Sequence, residues 1–219
     1  MILAPGLIVS CQARADNPLH GAVFMGAMAQ AAAQGGAVAI RANGAEDVAA
    51  CKAAGLPVIG IAKRHRDDYP VYITPDLADA APLVAAGARL VALDATDRPR
   101  DGLPLAELIP AVKALGVAVF ADVDTLEAGR RAADLGADYV ATTLSGYTDR
   151  TAHLKAQGPD LALVEALAGA VRVPVIAEGR FDTPERVRAA RDAGAHAVVV
   201  GTAITNPREI TRRFAGAMA

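Results

Sequence analysis

Short apolar runs recur along the chain. Each is stopped by a polar side chain or a glycine and parted from the next by a longer, helix-like stretch. They fall at residues 7–11, 37–40, 58–62, 90–93, 117–121, 139–142, 173–177 and 197–200. None alternates apolar and polar positions as a half-exposed strand does, so both faces are expected to be buried, as in a parallel sheet. Ala86-Gly87-Ala88, Leu135-Gly136-Ala137 and Ala193-Gly194-Ala195 each lead into an apolar run. Glycine there supplies the left-handed turn that ends a helix. Asn17-Pro18 and Thr74-Pro75 are predicted to open helices, and Gly35-Gly36, Gly55 and Gly87 to close them. Pro110 is predicted to shorten or kink its helix. Asn206-Pro207-Arg208-Glu209 reads as a capping-box-like start of the last one.

Eight such units in 219 residues predict a (β/α)8 TIM barrel, an α/β fold, as a single domain over residues 1–219. The alternative is a doubly wound open sheet. It needs no eighth strand and usually carries a glycine-rich fingerprint after its first strand, where this chain has Cys11-Gln12-Ala13. The chain is 53% hydrophobic with few aromatics, so the core is expected to be Ala, Val, Leu and Ile. A net charge of -2 offers no attraction for nucleic acid or an anionic membrane. Residues 21–40 carry no formal charge, but Gln30, Gln34 and Gly35-Gly36 interrupt them, which predicts a buried helix and strand rather than a membrane span. Ile8-Val9-Ser10-Cys11 looks like a lipoprotein cleavage box, yet no Lys or Arg precedes it and Pro5-Gly6 breaks its lead, so it reads as strand. Cys11 and Cys51 form no metal spacing or disulfide framework, which points to reduced thiols and a cytoplasmic protein.

The polar residues ending the runs are the candidate chemistry: Gln12, Arg41, Lys63, Asp94, Asp124 and Glu178. Any one alone reads as a solvated loop residue, but a barrel would gather all of them at one mouth. Asp94-Ala95-Thr96-Asp97 also fits a plain Asx-type turn. Lys63, after Val-Ile-Gly-Ile-Ala, is a Schiff-base nucleophile, a proton-transfer base or a structural partner of a carboxylate. Runs seven and eight both end in glycine before a helix start, so the backbone N–H groups of Gly179, Arg180, Gly201 and Thr202 are expected to cradle a phosphate. His20, His65, His153 and His196 show no ligand spacing, and no metal is expected.

Several long strings carry a family resemblance. They are Gly6-Leu7-Ile8-Val9-Ser10-Cys11-Gln12-Ala13, Gly60-Ile61-Ala62-Lys63-Arg64, Val71-Tyr72-Ile73-Thr74-Pro75, Thr142-Thr143-Leu144-Ser145-Gly146-Tyr147-Thr148, Ala177-Glu178-Gly179-Arg180 and Val200-Gly201-Thr202-Ala203-Ile204-Thr205. Over nearly its full length the chain resembles the N-acetylmannosamine-6-phosphate 2-epimerases of sialic-acid and amino-sugar catabolism. The resemblance implies a barrel isomerase without metal or redox cofactor, acting at C2 of an N-acetyl amino sugar 6-phosphate. It implies Lys63 and Glu178 as catalytic residues and Gln12, Arg41 and Asp124 as sugar-binding positions. It also implies a homodimer, sealed by the uncharged first helix or by the last one. Where the family continues Ile-Thr with a phosphate-touching arginine, this chain has Asn206-Pro207, and Arg208 is expected to take that role. Three other readings compete: a Schiff-base aldolase using Lys63, another phosphate-binding barrel isomerase, and a non-catalytic phosphosugar sensor.

Overall fold

The structure is a computed structural model and describes residues 2–66 and 69–218. All eight apolar runs are strands: β1 (Gly6–Cys11), β2 (Ala39–Asn43), β3 (Val58–Ile61), β4 (Leu90–Asp94), β5 (Ala118–Asp122), β6 (Tyr139–Ala141), β7 (Val175–Glu178) and β8 (Ala197–Val200). Each pairs in parallel with its neighbour in sequence. β8 pairs with β1 and closes the sheet, with Gly6 opposite Ala197 and Val9 opposite Val200. Closure excludes the doubly wound open sheet.

Burial on both faces has two separate destinations. Ile8, Ala39, Ile59, Leu90, Phe120, Tyr139, Ile176 and Val199 point inward and fill the barrel. Val9, Ile40, Val91, Val119, Val140, Ala177 and Val198 point outward against the helices. Because side chains alternate along a strand, the inward set continues upward as Ser10, Arg41, Asp94, Asp122 and Glu178. The polar residues thus form the top layer of a barrel whose lower layers are apolar.

The helices are α1 (Ala22–Gln34), α2 (Ala45–Cys51), α3 (Leu77–Ala85), α4 (Leu105–Ala114), α5 (Leu126–Asp134), α6 (Leu161–Ala170), α7 (Pro184–Asp192), α8 (Thr202–Thr205) and α9 (Pro207–Gly216). Two starts lie later than the sequence suggests. The Asn17 side chain accepts from Leu19 N at 2.9 Å, a turn of the kind Asn favours, and α1 begins at Ala22 behind Gly21. Thr74 is spent accepting from Ala62 N at 3.0 Å, and Asp76, in a capping box with Asp79, starts α3. Pro110 is accommodated inside α4, which runs for ten residues.

The end of the chain departs from a regular barrel. α8 has only four residues and α9 buries none of its side chains, leaving Phe214 74% and Met218 88% exposed. An apolar groove of about 270 Å³ stands open between α1 and α8, lined by Leu7, Val9, Met28, Ala31, Ala32 and Ile204. α1 buries Met25, Gly26 and Ala29 on one side while Val23 on the other is exposed. The uncharged first helix therefore serves as barrel wall and as free surface at once.

Candidate active site

At the C-terminal mouth the centre of the polar layer is Arg41. It lies within β2 rather than at its end, is 1% exposed, and stands over the Phe120 ring at 5.2 Å. Its guanidinium grips Asp122 with two bonds of 2.6 and 3.0 Å and donates to Glu178 Oε2 at 2.7 Å. Thr143 donates to Asp122 and also to Glu178, the latter at 3.2 Å. Burial opposes the charge on Arg41, but Asp122 and then Glu178 outweigh it and raise its pKa. The arginine is a fixed cation, held by a planar fork matched to carboxylates.

Glu178 ends β7, and the Thr142 hydroxyl brackets its backbone on both sides, donating to the carbonyl at 2.9 Å and accepting from the N–H at 3.0 Å. Burial pushes its pKa up, Arg41 pulls it down, and Asp122 beside it pushes it up again, with a net rise. The acid form of Glu178 thus persists above the ordinary carboxylate range.

Lys63 follows β3 on a segment tied at several points. Its N–H donates to the Asn43 side chain at 2.9 Å, it forms an antiparallel bridge with Ile73, and Arg64 N donates to Tyr72 O at 2.9 Å. Desolvation and then the Arg41 charge lower its pKa, against Glu178 and Asp122. Its side chain is exposed at the mouth, so desolvation acts in full only once a substrate covers the amine. Tyr72, facing the same charges, has its pKa pushed up to about 12 by burial and by Asp122, so it stays a neutral hydroxyl.

Gln12 closes the first-strand side, donating to Ser10 Oγ at 2.7 Å. Two strands away, Gly179 (φ 110) and Arg180 (φ 61) turn sharply after β7. A left-handed arginine is strained by about 1–3 kcal/mol and persists only where surroundings hold it, typically at a ligand clamp. Here the Arg180 side chain is held by Ser145 O at 2.6 Å, by Gly158 O, and over the Tyr147 ring at 5.4 Å. The N–H groups of Gly179, Arg180, Gly201 and Thr202 have no acceptor among the described residues. A side chain on Gly201 would meet Ser10 Cβ at 3.3 Å, so glycine is what lets β8 approach the mouth closely.

Two sequence expectations meet a different geometry, and for Asp94 the geometry chooses between its two readings. Asp124 lies two residues past β5, where it accepts from Thr148 at 2.7 Å, and the carboxylate brought to Arg41 is Asp122. Arg208 donates to the backbone and side chain of Asp16, both at 3.1 Å, bracing the β1–α1 loop. Asp94 accepts from Thr96 and is paired with Arg98, the Asx-type turn reading. Thr143 was legible only through strand parity: it follows Tyr139 and Ala141 at spacing two, as Asp122 follows Phe120.

Comparison with known proteins shows the family. Residues 25–219 match the family model described as "Putative N-acetylmannosamine-6-phosphate epimerase". A protein of Caldanaerobacter subterraneus named "Putative N-acetylmannosamine-6-phosphate 2-epimerase" is 50% identical over 216 residues, 97% of this chain and 90% of its own. One of Cutibacterium acnes with the same name is 49% identical, over 99% of this chain and 95% of its own. The solved N-acetylmannosamine-6-phosphate 2-epimerase of Clostridium perfringens superposes with a TM-score of 0.93 at 46% identity, covering 99% of this chain and 94% of that one. The chain belongs to the N-acetylmannosamine-6-phosphate epimerase family.

Proposed function

We propose that the chain interconverts N-acetylmannosamine 6-phosphate and N-acetylglucosamine 6-phosphate by moving the proton on C2. The observation that carries this reading is the mouth itself: a lysine of lowered pKa and a glutamate of raised pKa face one fixed guanidinium. In the open-chain aldehyde the C2 proton is acidic. Neutral Lys63 takes it, and negative charge moves to the aldehyde oxygen. The Glu178 acid and the cationic end of Arg41 stabilise that charge. C2 is then planar; Glu178 delivers its proton to the opposite face and inverts it, and the Lys63 ammonium and Glu178 carboxylate left behind return to the starting state by proton exchange with solvent. Gln12 and the β5 and β6 hydroxyl and carboxylate groups orient the sugar, and the phosphate is held by the free amides after β7 and β8. Phosphate binding energy then positions a reacting carbon several bonds away.

The chain is proposed to act as a homodimer. α9 presents Phe214 without a partner, α1 presents Val23, and the groove beside Ile204 lacks the helix that would cover it. A second copy supplies a surface of the right kind, because burying apolar side chains is the main driving force of association. No helix among the described residues is long and apolar enough to cross a membrane. The free, buried thiols of Cys11 and Cys51 fit a reducing cytoplasm, the compartment proposed.

The test is a proton NMR time course with N-acetylmannosamine 6-phosphate in deuterated water. Product is expected to carry deuterium at C2. Product that retains a full C2 proton would overturn proton exchange through Lys63 and Glu178, since an internal hydride shift keeps the label.

A further inference from the structure

Most arginines around the mouth are already committed. Arg41 holds Asp122 and Glu178, Arg98 holds Asp94, and Arg100 donates to Pro75 O. Arg180 donates to Ser145 O and Gly158 O, and Arg208 to Asp16. Arg14 is different. It is exposed on the loop between β1 and α1, and no carboxylate among the described residues pairs with it.

Its loop is not a loose tether. Asn17 N donates to Arg14 O at 2.9 Å, closing a tight turn. The segment is stitched to the loops after β8 by Asn17 Nδ2 to Asn206 Oδ1 at 3.4 Å, by Arg208 to Asp16, and by Thr205 Oγ1 to Ser10 O at 2.8 Å. Gly201, whose N–H has no acceptor among the described residues, lies directly against Ser10. Arg14 therefore stands on a fixed turn tied to the segment that carries the Gly201 and Thr202 amides. Its charge also reaches inward, since it helps to lower the pKa of Lys63.

We propose that Arg14 is the side-chain cation that closes over the substrate's phosphate monoester, with Arg208 acting as the brace that fixes its loop. Free amides alone give an open cradle. A dianion held there gains from a mobile side-chain counter-charge, and the Arg14 guanidinium, with no carboxylate partner among the described residues, provides two parallel donors. This role rests on the epimerase reading for the identity of the phosphate ester, but not for the presence of a phosphate site.

Calorimetric titration with inorganic phosphate, alongside steady-state kinetics, tests it on the wild type, Arg14→Ala and Arg14→Lys. Loss of a charge-assisted hydrogen bond is expected to weaken phosphate binding by roughly tenfold to a hundredfold in Arg14→Ala. KM for the sugar phosphate rises by a similar factor, kcat falls by less than KM rises, and Arg14→Lys falls between. Unchanged phosphate affinity and KM in Arg14→Ala would overturn the assignment, as would a wild type that binds no phosphate at millimolar concentration. So would a shifted kcat–pH profile at constant phosphate affinity, which would make Arg14 a modulator of Lys63. If the wild type fails to epimerise the sugar phosphate, the functional reading falls, and the phosphate titration still decides Arg14.

Discussion

Changing Asp122 to asparagine keeps the shape of the side chain and removes one charge from a fully buried pair. Asp122 is 0% and Arg41 1% exposed, and the two share bonds of 2.6 and 3.0 Å. Removing one partner of a buried ion pair costs about 3–5 kcal/mol, because the other charge is stranded. Arg41 keeps Glu178 at 2.7 Å, so the lower end applies, about 3 kcal/mol. For a domain of this size each kcal/mol lowers Tm by about 2–4 °C, which gives a drop of about 6–12 °C. Catalysis suffers separately. Asp122 helps keep the Glu178 pKa high, and without it the guanidinium turns wholly to Glu178 and favours its ionised form. A fall in kcat of about 10² is expected from the weakened acid. Circular-dichroism melts and initial rates measure both effects. The double variant Arg41→Met with Asp122→Leu separates them: stability should largely return, since apolar replacement of a buried pair is often neutral, while activity stays lost. An Asp122→Asn protein within about 2 °C of the wild type and with unchanged kcat would refute the idea that this pair organises the mouth.

Lys63→Ala should stay folded and bind substrate, because Lys63 is exposed and the ties around it use backbone atoms, yet lose C2 exchange by at least about 10²-fold; near-normal exchange would make the lysine a mere ion-pair partner. Light scattering at micromolar concentration should give twice the single-chain mass, and Phe214→Asp should shift it toward one chain; a wild type already at the single-chain mass ends the dimer proposal.

How much of this was legible depends on how local the signal is. All eight strands were, because a strand buried on both faces must be apolar throughout, and Gly87, Gly136 and Gly194 mark the turns before three of them with positive φ. The starts of α1 and α3 were not. Asn17 and Thr74 have cap-like chemistry, but the Asn17 side chain is claimed by a local turn to Leu19 and the Thr74 side chain by Ala62 twelve residues away, choices that composition does not carry. The site shows the same division. Lys63, Arg41 and Glu178 are single polar residues ending apolar runs, and each lies in the mouth. Asp122 and Asp124 share strand parity, so spacing could not rank them. What separates them is that β5 ends at Asp122, opposite Arg41 across the barrel, while Asp124 has already turned toward Thr148. Arg208 and Arg14 are harder still, because which arginine is spent on Asp16 depends on a contact spanning 192 residues.

The opposed shifts of Lys63 and Glu178 make the pH profile a test of their partnership. The working state needs Lys63 neutral and Glu178 protonated, which is one proton shared between two groups. The ion pair, with Lys63 charged and Glu178 ionised, holds the same one proton. Pulling one pKa down from 10.5 and the other up from 4.5 narrows the gap between these two forms and so enriches the working one. Neither form gains or loses a proton between the two pKa values, so kcat/KM should be flat there. It falls on the acid side as both groups become protonated, and on the alkaline side as both lose their protons. The acid limb should lie above the ordinary glutamate value and the alkaline limb below the ordinary lysine value. Glu178→Gln removes one of the two sites. Lys63 must then shed its own proton to solvent, so the alkaline limb disappears and the residual rate climbs with pH through the lysine's pKa. That pKa should also be lower than in the wild type, because the Glu178 charge no longer supports the ammonium. A Glu178→Gln profile that keeps both limbs in place would show that the alkaline limb belongs to another group and that Glu178 is not the acid.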